Sequence, residues 1–110
     1  MVGLLLAAGA AVNQADEDGV TPLNTASEKG HVAVVQQLLA LDAAVDQANN
    51  NETTPLGASA QHGHTAVAQQ LLEAGAGTDK GQPGWPPLRL AVHFKHDAVA
   101  ALLRASGATE

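Results

Sequence analysis

The stretch TPLNTASEKGH, residues 21–31, decides the fold because it recurs at a fixed distance along the chain. TPLGASAQHGH occupies residues 54–64, and PPLRLAVHFKH occupies residues 86–96. Thr54 lies 33 positions after Thr21, and Pro86 lies 32 positions after Thr54. The apolar segments VAVVQQLL, TAVAQQLL and DAVAALLR follow the three copies in turn. A period near 33 residues predicts an array of stacked repeats.

Each copy predicts two short helices joined by a tight turn. Thr21 and Thr54 can cap a helix by accepting a backbone N–H, and the proline after each suits the first helical position. Gly30 and Gly63 fall where this helix ends, since glycine adopts the left-handed conformation without a Cβ clash. The second helix carries an apolar stripe, formed in the first copy by Val34, Val35, Leu38 and Leu39 and repeated in the second by Val67, Leu71 and Leu72.

The amino-acid composition is consistent with repeat units that stack as thin layers. Hydrophobic residues make up 45% of the chain but aromatic residues only 2%, so the core is built from Leu, Val and Ala. Small residues recur at one position of the first helix and allow neighbouring units to approach closely: Ala26, Ser59 and Ala91.

The net charge of −6 is concentrated in the first half of the chain. Residues 1–55 hold seven acidic residues and one Lys, whereas residues 56–110 hold four acidic and four basic residues. Nucleic-acid binding normally requires a basic surface, so this balance argues against a nucleic-acid partner.

The repeated pattern resembles the ankyrin repeat, D-x-x-G-x-T-P-L-H-x-A-A-x-x-G-H-x-x-V-V-x-x-L-L-x-x-G-A. The resemblance covers essentially the whole chain, and the first full copy matches at Asp16, Gly19, Thr21, Pro22, Leu23, Ala26, Gly30, His31, Val34, Val35, Leu38, Leu39 and Ala43. It implies an all-α repeat solenoid of stacked helix-turn-helix units with β-hairpin-like fingers. We expect one domain, divided into a partial repeat (1–15), two repeats (16–48 and 49–80) and a capping-like repeat (81–110).

Several positions depart from the family pattern. The His after T-P-L is replaced by Asn24, Gly57 and Arg89, which puts the usual hydrogen bonds of that His in doubt. In the second finger Glu52 stands where the turn Gly is expected, and we expect Asn51 beside it to take the left-handed conformation. The third finger is one residue shorter, Pro86 removes the Thr cap, and Lys95 replaces the Gly of the turn.

The sequence offers little for catalysis or cofactor binding. His31, His64 and His96 share the Gly-His position of the pattern, where we expect them to bridge backbone groups between layers. The pairs His62/His64 and His93/His96 lack a third metal ligand, and GAGTDKGQPG lacks the ending of a phosphate-binding loop. DEDG, at 16–19, lacks the ligand spacing of a calcium loop. We therefore expect no enzyme activity, metal or cofactor.

The first residues raise a question about the edge of the array. MVGLLLAAGAAV has no Lys or Arg before its apolar run and is too short to span a bilayer. Its continuation aligns with the repeat, so we expect no membrane segment. Leu4, Leu5 and Leu6 lack a preceding layer, which leaves two interpretations: truncation of a longer array, or a first edge that is covered by another chain. We expect a monomer or weak self-association through this edge. At the other end, Arg104 in the apolar stripe suggests a capped terminus.

The resemblance implies that a partner protein binds across the finger tips and the first helices. The positions that would contact it are Glu17, Asp18, Val20, Glu28 and Lys29 in the first full copy, Asn50, Asn51, Thr53, Gln61 and His62 in the second, and Gln82, Pro83, Trp85, His93 and Phe94 in the third. This surface is acidic at one end and apolar-aromatic at the other, so we expect a partner that is basic at one end and apolar at the other.

The only Trp and the only Phe of the chain both fall on this surface. They can anchor a partner, as large aromatic side chains do at interfaces, or they can pack on the short finger and the last layer. The sequence thus predicts a non-catalytic protein-protein interaction module, in an intracellular compartment (cytoplasmic or nuclear). The alternative is an internal spacer of a longer solenoid that has no partner of its own.

Overall fold

The computed structural model describes residues 12–108, and in these residues the chain forms three consecutive helix pairs. The pairs are α1 (Pro22–Lys29) with α2 (Val32–Ala40), α3 (Pro55–His62) with α4 (Thr65–Glu73), and α5 (Pro87–His93) with α6 (Asp97–Ala105). This order confirms the predicted all-α array of helix-turn-helix units. The helix expected in residues 1–12, with Leu4, Leu5 and Leu6, lies outside the described residues apart from Val12.

The predicted threonine caps are present at the start of the first helix in the first two units. Thr21 Oγ1 accepts a hydrogen bond from the backbone N–H of Asn24 at 3.2 Å, and Thr54 Oγ1 accepts one from Gly57 at 3.1 Å. In the third unit Pro86 holds the N-cap position and makes no side-chain cap, as its lack of a hydroxyl predicts. The first helix of each unit therefore begins at the T-P or P-P step of the repeated motif.

Asn24, which replaces the family His, makes hydrogen bonds near the finger with its side-chain amide. Its Oδ1 accepts from the backbone N–H of Thr21 at 2.9 Å, which completes a reciprocal capping box. Its Nδ2 donates to the carbonyl oxygen of Gln47 at 3.2 Å. A single amide side chain thus caps α1 and ties it to the chain segment that leads into the next finger.

The turn between the helices of a unit depends on a left-handed residue. Gly30 has φ 74° and ψ 28°, and Gly63 has φ 74° and ψ 27°, as predicted from their place in the motif. Lys95 takes the same conformation in the third unit, with φ 63°. This conformation costs roughly 1 kcal/mol for a residue that carries a Cβ.

A histidine from the next unit packs against each of these glycines. His64 Nε2 donates to the carbonyl oxygen of Glu28 at 2.8 Å, and His96 Nε2 donates to that of Gln61 at 3.0 Å. A Cβ on Gly30 would lie 2.6 Å from His64 Nδ1, so the ring occupies the space that a side chain would need. The expected role of the motif histidine as a bridge between layers is confirmed for His64 and His96. The layer that would precede His31 lies outside the described residues.

The helices stack in two ranks. α3 packs between α1 and α5 in one rank, and α4 packs between α2 and α6 in the other. Between the ranks lies a core of apolar side chains that are almost fully buried, among them Leu23, Leu56 and Leu88 from the motif and Val35, Leu38, Val67, Leu71, Val99 and Leu103 from the stripes. Each buried Leu or Val contributes about 1.5–3 kcal/mol of transfer free energy, so every unit supplies a similar share of the stability.

The small residues predicted to set the layer spacing are buried between first helices. Ala26 is 3% exposed, and Ser59 and Ala91 are 0% exposed. Ser59 satisfies its hydroxyl within its own helix by donating to the carbonyl oxygen of Leu56 at 2.8 Å. The first helices can therefore approach closely without leaving this polar group unpaired.

The segments between units repeat a further contact. Asn13 Oδ1 accepts a hydrogen bond from the backbone N–H of Ala44 at 2.7 Å. One unit later, Asp46 Oδ1 accepts from the backbone N–H of Gly77 at 3.0 Å. These bonds link each unit to the next beside the finger, so neighbouring fingers are held in register.

The left-handed turn gives a test of this architecture. Replacing Lys95 by Gly removes backbone strain and should raise the free energy of unfolding by about 1 kcal/mol. Gly63→Ala should lower it by about 2 kcal/mol or more, because the new Cβ adds a clash with the His96 ring, 2.6 Å away, to the same strain. Urea unfolding followed by circular dichroism measures both. A Lys95→Gly protein less stable than the parent would contradict the assignment of strain.

Candidate functional site

The first two fingers are closed by the same side-chain geometry. Asp16 Oδ1 accepts from the backbone N–H groups of Asp18 and Val20 at 2.9 and 3.0 Å. Asn49 Oδ1 accepts from Asn51 and Thr53 at 2.9 and 3.0 Å. Both fingers are therefore preformed turns. Within the described residues they contain no strand, and the hairpin-like form is confined to an isolated bridge between Gln82 and Trp85 in the third finger.

The tips of the first two fingers are hydrogen-bonded to each other. The backbone N–H of Asn50 donates to the carbonyl oxygen of Asp18 at 2.8 Å, and its Nδ2 donates to that of Glu17 at 3.0 Å. Gly19, with φ 75°, has no room for a side chain because Asn50 lies against it. The tips of the first two fingers therefore form a continuous ridge, which is held together by the backbone and side-chain amides of Asn50.

The second finger corrects one expectation from the sequence. Glu52, not Asn51, takes the left-handed conformation, with φ 62°. Asn51 is held by its backbone N–H on Asn49 Oδ1, and the N–H of Glu52 donates to the carbonyl oxygen of Asn49 at 2.9 Å. These two bonds require a left-handed residue at position 52, which is equivalent to Gly19 of the first finger. The requirement holds whatever side chain stands there.

The predicted contact residues of the first two units differ in exposure. The exposed ones are Glu17, Asp18, Glu28, Lys29, Asn50, Asn51 and His62, and the half-buried ones are Val20, Thr53 and Gln61. Glu17, Asp18 and Glu28 give this end of the finger and first-helix face its acidic side chains. Lys29 alone opposes them among the predicted contact residues of the first unit.

The third unit brings its two aromatic residues together around a histidine. The His93 ring meets Trp85 edge-on, with centroids 5.2 Å apart and planes at 84°. It meets Phe94 in the same way, at 4.8 Å and 85°. Phe94 is 43% exposed and Trp85 is half-buried. The short finger and the end of α5 thus present one aromatic cluster, which combines three of the predicted contact residues. Gln82 and Pro83 are exposed beside it.

Arg89 belongs to this cluster; the sequence places an Arg at this end of the face but does not give Arg89 among the predicted contact residues. Its guanidinium carbon lies 4.4 Å from the centre of the Trp85 ring, within cation–π distance. Its Nη1 donates to the carbonyl oxygen of Gly84 at 3.0 Å. Arg89 stands where the family has its finger-binding His, so the departure from the pattern was the available signal.

A groove of about 590 Å³ opens beside the cluster, lined by Gly84, Trp85, Pro86, Arg89, Val92 and His93. A smaller crevice separates the second unit from the third, and Trp85 borders both depressions. Gly57 lies in this crevice without a side chain, over the half-buried Leu90. Trp85 therefore forms the wall between the groove and the crevice.

The histidines are not arranged as a metal site. The rings of His62 and His64 stack with centroids 6.3 Å apart, and His64 Nε2 is already bonded to Glu28. In residues 12–108 no group of three or more His, Asp or Glu side chains could hold a metal ion. No helix in that range has the length and apolar character needed to cross a bilayer.

Comparison with protein families identifies the class. The family model for ankyrin repeats (three copies) matches residues 1–82 and 41–109. The chain therefore belongs to the ankyrin repeat family, and the resemblance given by the repeated motif is confirmed. No curated protein sequence matches the chain closely enough to count as a relative. Ankyrin repeats generally mediate protein-protein interactions and are typically non-catalytic.

The histidine geometry predicts the response to metal ions. Zinc or nickel added to the protein should leave Tm unchanged, because a site needs more ligands than these pairs offer. A thermal melt with and without the metal measures this, with a chelator-treated sample as the control. A metal-dependent rise in Tm that disappears in His62→Ala or His93→Ala would contradict this account of the histidines.

Proposed function

We propose that this chain is a non-catalytic module that binds a partner protein across its finger tips and first helices. The observation that carries the proposal is the cluster of Trp85, His93 and Phe94 at the end of this face. Phe94 is 43% exposed and Trp85 only half-buried, in a chain with no other Trp or Phe. Aromatic side chains in such positions are the commonest energetic anchors of protein interfaces.

The fingers support the proposal because they are preformed. The turns are closed by Asp16 and Asn49, and the ridge is joined through Asn50, so these fingers need little ordering when a partner binds. Binding to a preorganised surface avoids part of the entropic cost of association. The proposed contacts are Glu17, Asp18, Val20, Glu28, Lys29, Asn50, Asn51, Thr53, Gln61, His62, Gln82, Trp85, His93 and Phe94.

The distribution of charge suggests how the partner is oriented. The acidic side chains Glu17, Asp18 and Glu28 lie at one end of the face, and the aromatic cluster lies at the other. We propose a partner with a basic region facing the first unit and an apolar region facing the third. Exposed charges mainly set the association rate, whereas a buried aromatic contact sets the dissociation rate.

An internal spacer is the second candidate, and one observation favours it. Arg89 stacks on Trp85 and donates a hydrogen bond to the Gly84 carbonyl oxygen. Part of the Trp85 ring is therefore already in contact with a residue of its own unit. If Trp85 and Phe94 serve only to pack the last unit, the segment has no partner of its own. The two candidates differ in what happens when these side chains are removed.

We expect a Trp85→Ala, Phe94→Ala double variant to lose the partner protein that the parent chain captures from an extract of the source cells. Truncating two interface anchors costs about 2–4 kcal/mol or more, which is enough to abolish retention. Captured proteins are compared by mass spectrometry after circular dichroism confirms equal helicity.

The matched control for this experiment is Val32→Ala, Leu41→Ala. These two side chains are 40% and 43% exposed and lie in and just after α2, so the control truncates two exposed apolar side chains in the other rank. It should retain the partner. If both double variants retain the same proteins as the parent, the spacer function is the better account.

We also expect the Glu17→Gln, Asp18→Asn double variant to slow association of the captured partner by roughly several-fold at low salt, because charges at the rim of an interface mainly set the association rate. The difference should shrink as salt is added, because screening weakens long-range attraction. Surface plasmon resonance measures the rates. The control variant, Asp42→Asn, Glu73→Gln, removes two exposed carboxylates near the ends of α2 and α4. Equal rates for both variants at all salt concentrations would exclude steering by the finger.

A further inference from the structure

We propose that the groove of the third unit binds a segment of a partner chain that lies away from the chain ends and carries an acidic residue next to an apolar one. Arg89 holds the side-chain carboxylate of the acidic residue. The inference rests on the proposed function and adds the chemistry of the segment that occupies one end of the face. The groove is bounded by the short finger on one side and by one face of α5 on the other.

Arg89 is positioned before any ligand arrives. Stacking on Trp85 at 4.4 Å and the 3.0 Å hydrogen bond to the Gly84 carbonyl fix the guanidinium plane. That bond uses one of the five N–H donors of the side chain, which is exposed to solvent. A guanidinium held in one orientation suits the paired hydrogen bonds that a carboxylate accepts.

Arg89 carries the positive charge of the groove, and no acidic side chain that lines the groove compensates it. Arg89 and His93 are one turn apart on α5, which places both side chains on the same helical face. No Asp or Glu is among the residues that line the groove. This environment is opposite to the acidic end of the first unit, so charge complementarity favours an anionic group at this end of the partner.

The remaining walls are apolar. Trp85 and Pro86 form one side, and Val92, 42% exposed, forms the other. The volume of about 590 Å³ lies within the range of roughly 300–1,000 Å³ found for pockets that enclose small ligands. A Leu- or Phe-sized side chain beside the carboxylate would cover this surface and remove it from water.

The shape of the surface favours an internal segment over a free chain end. Trp85 also borders the crevice that contains Thr53, Gly57 and Gln61 of the second unit. A partner that contacts the second unit as well continues past Trp85 in this direction. Gly84 and Pro86 also border a further depression, together with Gly107 and Ala108. The segment can therefore extend beyond the groove on this side too, and we assign the carboxylate on Arg89 to an Asp or Glu side chain.

A random linear peptide library, selected in parallel against the parent chain and Arg89→Gln, tests the inference. Peptides recovered on the parent should be enriched in Asp or Glu next to Leu, Ile or Phe, and those recovered on Arg89→Gln should lack the acidic residues. The consensus peptide, synthesised with both ends blocked, is then titrated by fluorescence anisotropy. Its affinity should fall about tenfold or more in Arg89→Gln, as for loss of a charged hydrogen bond.

Two controls separate the groove from general electrostatics. Arg104→Gln removes the same charge from α6 and should leave the affinity unchanged, whereas Arg89→Lys should keep the acidic preference at reduced affinity. Because Trp85 is the only Trp, a change in its fluorescence on peptide addition reports binding at the groove. Circular dichroism confirms that each variant is folded.

Several results would overturn the inference. They are a selection that recovers no binder, no acidic preference, a preference for basic peptides, a need for a free C-terminal carboxylate, or binding that leaves Trp85 fluorescence unchanged. The proposed function can survive all of these, because partner capture that depends on Trp85 and Phe94 does not require an acidic ligand. Loss of that dependence would overturn the proposed function itself.

Discussion

The packing of a histidine ring beneath a left-handed glycine is the constraint on which the rest of this structure depends. Gly30 accommodates the ring of His64, whose Nε2 donates to the Glu28 carbonyl oxygen, and Gly63 and His96 repeat the arrangement with Gln61. One contact thus ends a first helix, begins the second helix of the next unit and fixes the distance between them. Small residues such as Ser59 can then fill the narrow space between the layers.

Because this contact repeats, each unit presents the same positions to solvent. The buried leucines and the hydrogen bonds of Asn13 and Asp46 keep the fingers in register, which leaves the finger tips and first helices free to differ between units. The chain uses this freedom to place carboxylates at one end of the face and an aromatic cluster with Arg89 at the other. The function we propose follows from these variable positions, while the repeated positions only hold them in place.

Most of the fold could be predicted from the sequence because its determinants are local. A threonine cap, a glycine in the left-handed turn and an apolar stripe depend on residues a few positions apart. The arrangement in the third unit was harder to predict, because stacking of Arg89 on Trp85 depends on the path of a shortened finger. The left-handed Glu52 was missed for a related reason: the Asn49 hydrogen bonds, and not the preference of Asn51, determine which residue turns.

In the binding mode that we propose, the partner contacts the rank of first helices and fingers and not the rank of second helices. Chemical-shift mapping on the ¹⁵N-labelled chain with its captured partner tests this most directly. We predict the largest changes at the Trp85 indole N–H and at backbone amides of the fingers, α1, α3 and α5. Changes confined to α2, α4 and α6, with the Trp85 signal unmoved, would contradict the claim.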